Sequence, residues 1–75
     1  MIFRFGRVAG RLSKPQRMQC REIARRHGCT FMHASDGVAW WSWFETRSQD
    51  DELDQQLERA VLAEAQQLGA REPAQ

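Results

Sequence analysis

Cys20, His27, Cys29 and His33 lie within fourteen residues of one another, and thiol and imidazole are the side chains that bind zinc and related ions. Their spacing matches no paired zinc-binding pattern. Cys20 and His27 can share one helix face, which equally suits a small buried thiol and a partly buried imidazole. Nucleophilic catalysis asks for more: a cysteine or serine held by a histidine, an orienting acid, and a cleft around them. A chain of 75 residues has little room for that arrangement. The expectation is a non-enzymatic protein with no catalytic residue, no metal and no cofactor.

The residues suited to recognition are more numerous. All three tryptophans fall in residues 29–45, and Lys14, Arg17, Arg21 and Arg25 recur at helical spacing with Met18 among them. Four cations on one helical face repel one another unless solvated or met by anions. Tryptophan and arginine dominate the hot spots of protein interfaces. The same pair serves nucleic acids, with arginine on phosphates and indoles stacked on bases. Net charge is only +1, but residues 1–35 hold eight cations against Glu22 alone, while residues 36–75 hold nine acids against three arginines. Such asymmetry is a prior for nucleic-acid binding, and it equally allows a basic and an acidic half to pair within one fold or across a dimer. The acidic second half disfavours a polyanion at close range. The preferred function is therefore a protein-binding regulator or inhibitor, with Lys14, Arg17, Met18, Arg21, Arg25, Trp41 and Trp43 as partner-binding residues. A nucleic-acid-binding module and a structural homodimer are the alternatives.

The elements that must position these residues follow from local patterns. Two runs rich in aromatic and β-branched residues flank Asp36-Gly37, the strongest short-range hairpin signal. A two-residue turn there puts Cys29, Phe31, His33, Val38, Trp40, Ser42 and Phe44 on one face. The other face receives Thr30, Met32, Ala34, Ala39, Trp41 and Trp43. A type I turn with a glycine bulge at Ser35-Asp36-Gly37 would shift that register. Both faces are substantially apolar, so one meets the helices and the other needs a cover: a third strand, a terminal segment or a second copy of the chain.

Met1–Phe5 alternates well enough for a short edge strand, and Gly6–Arg11, with two glycines and two arginines, suits a mobile basic loop. Ser13-Lys14-Pro15-Gln16 predicts a capped helix from Lys14 to His27, ended by Gly28, with Gln16, Cys20, Ile23, Ala24 and His27 inward. Ser48 followed by Gln49-Asp50-Asp51-Glu52 predicts a second helix, with Leu53, Leu57, Ala60, Val61 and Leu68 as its apolar stripe and Gly69 at its end. Glu64 falls inside that arc and requires a cationic partner or an exposed edge, while Leu62 points opposite the stripe.

The predicted architecture is a small α+β domain of order (β)-α-β-β-α spanning residues 1–69. Two helices pack on one face of a two- or three-stranded antiparallel sheet, and residues 70–75 form a disordered tail. A chain of this size is near the limit for a single core, which favours association. No apolar run approaches a membrane span and no signal segment is evident, so a cytoplasmic protein without membrane contact is expected.

Overall fold

The computed structural model describes residues 1–71, with side chains through residue 67. Five elements follow one another: β1 (Ile2–Ala9), α1 (Lys14–His27), β2 (Thr30–Ser35), β3 (Trp40–Arg47) and α2 (Asp51–Arg71). The strands form one antiparallel sheet in the order β1-β3-β2, so the tryptophan-bearing strand is central. Helix α1 packs over β2 and α2 over β1, side by side on one face of the sheet. This is the α+β architecture predicted, with three strands in the sheet.

Three features depart from expectation. The hairpin loop is Asp36–Ala39, because Ser35 pairs with Trp40 and Phe31 with Phe44. The Asp36 carboxylate accepts from the backbone of Val38 and Ala39 (2.9 and 2.8 Å) and from the Trp41 indole (3.0 Å), which stabilises four loop residues rather than two. A displacement of two residues preserves side-chain parity, so every strand residue keeps its expected face. The segment expected to be a loop continues β1 as far as Ala9. Phe5 pairs with Phe44 and Val8 with Ser42, leaving Gly6 and Arg7 opposite Trp43 as a β-bulge. Gly6 makes this possible with φ of 68°.

The third departure is in α2. Asp50 caps this helix, its carboxylate accepting from the Leu53 N–H at 2.8 Å. Ser48, the expected cap, instead donates to Asp54 at 2.6 Å, and the Gln49 N–H donates to the other Asp54 oxygen at 3.2 Å. These bonds satisfy a buried carboxylate. The helix is thereby turned so that Asp54 points inward and Leu53 is 45% exposed. Leu62, expected to point outward, packs against the core. The helix runs to Arg71, two residues beyond Gly69. The predicted tail lies outside the described residues from position 72 onward.

Helix α1 follows its pattern. The Ser13 hydroxyl accepts from Gln16 N–H, the Gln16 side chain accepts from Ser13 N–H, and Gly28 ends the helix at φ of 76°. The core between the layers is Phe5, Ile23, Ala24, Phe31, Phe44 and Val61, with Phe44 against Phe5 and Phe31 at ring separations of 5.6 and 5.3 Å. Of the two outcomes open to Glu64, a cationic partner or an exposed edge, the structure shows the first. Arg26 meets it at 3.0 Å and His27 also bonds to it, linking α1 to α2. These contacts, led by the hydrogen bond with His27, hold the Glu64 carboxyl below its ordinary range.

Candidate functional site: the uncovered sheet face

With both helices on one side, the other face of the sheet is left without a covering layer among the described residues. Strand alternation puts Met32 opposite Trp43 and Ala34 opposite Trp41 on this open face, with Arg4 opposite Glu45 alongside. The bulge adds Arg7. In an unbroken strand residue 7 would face the helices, but the extra residue re-aims it, and its guanidinium sits 4.1 Å from the Trp41 ring centre. A shallow depression of about 470 Å³ lies on this face between Arg4, Arg7, Ala34, Asp36, Trp41 and Trp43.

The polar groups on this face are largely engaged with one another. Trp41 Nε1 donates to Asp36, and Trp43 Nε1 donates to Glu45 at 3.0 Å. Arg4 lies 3.9 Å from Glu45. Hydrogen bonds from Ala39, Val38 and then Trp41 depress the Asp36 pKa to about 2, so this carboxylate stays charged beside the indole. The result is an apolar floor of two half-buried indoles and a methionine, edged by charges of both signs.

The predicted partner-binding residues divide into two groups. Trp41 and Trp43 are on the open face, while Lys14, Arg17, Met18, Arg21 and Arg25 belong to α1 on the opposite side of the sheet. Arg25 is bonded through Nε to Glu22 at 3.1 Å and makes a second contact with the same carboxylate. One Arg17 nitrogen donates to the Leu12 carbonyl at 2.9 Å. Met18 is 57% exposed, and Lys14 and Arg21 are exposed. Trp40 lies on the helix side, stacked on His33 at 4.9 Å with Arg11 over it at 5.3 Å.

Arg7, Met32, Asp36 and Glu45 were not among the expected site residues. Alternation places Met32 on the face of Trp41 and Trp43 without marking it as a site residue; Arg7 arrives only through the bulge. The cysteines and histidines do not converge, and among the described residues no group of three or more metal-ligating side chains is assembled. His33 accepts from Leu12 N–H at 3.4 Å through Nε2, and its Nδ1 lies 3.1 Å from the Trp41 carbonyl, which assigns the proton to Nδ1. His27 is occupied by Glu64. Burial raises the Cys29 thiol pKa, which disfavours the reactive thiolate. Among the described residues no helix is long and apolar enough to cross a membrane.

Compared with protein-family models, with curated proteins and with solved structures, the chain matches none.

Proposed function

We propose that this chain is a small non-enzymatic protein-binding module, acting as a regulator or inhibitor, that receives its partner on the open face of the sheet. The observation that carries this reading is the pair Trp41 and Trp43 on a face the helices leave uncovered. Two aromatic anchors with their N–H groups already bonded offer apolar area without an unmet polar demand, which suits the desolvated centre of an interface. Asp36 and Glu45 beside the rings repel phosphate, and Arg7 already lies over Trp41. These points favour a protein over a nucleic acid.

A second reading, nucleic-acid binding through α1, is supported by the exposed cations Lys14 and Arg21. One experiment separates the two. The tagged chain is used to capture proteins from its source cells, a captured protein is purified, and its affinity is measured against the wild type and Trp43→Ala. A loss of about 30-fold or more on truncation is expected for an anchor. A salt-sensitive gel shift at ~50 mM salt, abolished by Lys14→Ala with Arg21→Ala and unaffected by Trp43→Ala, would replace the protein reading. Monodisperse dimers that dissociate on Trp43→Ala, with no captured protein, would make the face a self-interface.

A further inference from the structure

The sheet has two edges, and they are not alike. β1 is guarded by the bulge at Gly6-Arg7 and by two arginines, devices that keep an edge from pairing. β2, with the sequence Thr-Phe-Met-His-Ala-Ser, has no charge, no proline and no bulge. Its hydrogen-bond phase follows from the loop. Asp36 N–H donates to the Ala39 carbonyl at 3.1 Å, so Asp36/Ala39 is a bonded pair, and the alternation makes Ala34/Trp41, Met32/Trp43 and Thr30/Glu45 the bonded pairs of the ladder. On the far side of β3 the Gly10 N–H donates to the Trp40 carbonyl, as this phase requires. The backbone groups of Phe31, His33 and Ser35 therefore point away from the sheet. Outside the strand ladder, no described backbone group bonds to them.

What overhangs this edge is set by the rotation of α1. Gln19, Glu22 and Arg26 border α2, and Ile23 and Ala24 are buried below. At about 100° per residue the flank away from α2, on the β2 side, is Lys14, Arg17 and Arg21. The helix contains one acid, Glu22, and it belongs to the other flank. Arg21 and Lys14 have no ion-pair partner among the described residues. A second copy added across a two-fold axis at β2 would set this cationic flank against its own image. An acidic strand would meet it favourably.

Building on the protein-binding reading, we infer that the β2 edge takes an extended segment of the partner as a fourth, antiparallel strand, and that this segment alternates acidic with apolar side chains. Residues opposed in an antiparallel pair share a face. Side chains opposite Phe31, His33 and Ser35 lie on the helix side under Lys14, Arg17 and Arg21, where carboxylates belong. Those between them extend the open face beside Met32 and Ala34, continuing the apolar floor of Trp41 and Trp43. A single strand thus lies under Lys14, Arg17 and Arg21 on one face and extends the Trp41 and Trp43 floor on the other. Main-chain bonds supply affinity and alternate side chains supply specificity.

The probe is a short capped peptide of alternating glutamate and valine, titrated into the full chain. It should bind, and a lysine-for-glutamate version should bind about tenfold more weakly or worse. The geometry makes a sharper demand: the glutamates' own amides face β2, so N-methylating them should weaken binding about tenfold or more, while N-methylating the valine amides should change it little. Lys14→Glu with Arg21→Glu, both exposed, should reverse the preference between the two peptides. Amide exchange at Phe31, His33 and Ser35, fast in the free chain, should slow on binding. Any other methylation pattern, indifference to peptide charge, or no binding overturns the inference. Protection of those three amides that rises with protein concentration and needs no peptide assigns the edge to a second copy and also overturns it. A captured partner that depends on Trp43 but leaves the three amides unprotected sinks the added strand alone and leaves the protein-binding reading standing.

Discussion

Gly6 decides more than its size suggests. A Cβ built there lies 2.8 Å from Leu62 Cδ2 and 3.4 Å from Phe44 Cδ2, and φ of 68° is unfavourable for any residue with a side chain. The missing side chain admits Leu62 to the core, which is why a leucine on the outer side of the helical arc packs inward. Gly6→Ala should therefore destabilise the fold by about 1–3 kcal/mol, read as a lower denaturant midpoint. It should also release Arg7 from Trp41, read as a change in tryptophan fluorescence. An unchanged midpoint would contradict the bulge geometry. Nothing local to Gly6-Arg7-Val8-Ala9-Gly10 announces this, because a bulge is a relation between two strands and β3 follows only after a helix and a strand. The Ser13/Gln16 capping box was legible for the opposite reason, since its partners are three residues apart.

At the level of elements, the hairpin owes its loop to one carboxylate. Asp36 has a pKa depressed to about 2 by bonds made only in the folded chain. A depressed value means that its stabilisation is fully present above the ordinary aspartate pKa near 4 and is lost as pH falls through about 2. The difference in Tm between wild type and Asp36→Ala should be constant above about pH 5 and should shrink steadily as pH is lowered toward 2. A gap that persists undiminished at the acidic end would assign the effect to loop conformation rather than charge. The strand faces were readable because their period is two, and a loop two residues longer leaves parity intact. The pairing itself was not, since Asp36-Gly37 supports loops of more than one length. The second helix showed the same limit: its cap moved from Ser48 to Asp50 once Ser48 was drawn to the buried Asp54.

The molecule as a whole rests on a small aromatic stack. Phe44, 4% exposed, lies between Phe5 and Phe31 and so joins all three strands in the core. Truncating such a residue costs about 3–5 kcal/mol, whereas a chain of this length has a total stability of roughly 4–11 kcal/mol. Phe44→Ala should leave the chain largely unfolded or barely folded at 25 °C, as judged by loss of the cooperative thermal transition. A transition lowered by only a few degrees would show that the stack is not the centre of the core. The charge asymmetry between the two halves of the sequence also resolves at this scale. Arg26 and His27 meet Glu64 where the helices touch, and Arg4 approaches Glu45 across the sheet, while Lys14 and Arg21 are left facing outward. Which cations are internally matched depends on which helix flank meets which neighbour, and spacing along one helix cannot report that.

The order β1-β3-β2 also imposes a timetable on synthesis. A ribosome releases β1 first, yet its partner is β3, so Phe3 and Phe5 must wait in the open while α1 and the hairpin emerge. α1, β2 and β3 can associate as neighbours in sequence, but the sheet cannot receive its third strand until Arg47 has cleared the exit tunnel. Loop closure across that span sets the expectation that β1 docks after the hairpin has formed, to be checked by pulsed hydrogen exchange at β1 and β2 amides. A chain stalled just short of that point would display two aromatic side chains and an unpaired strand to any chaperone waiting there.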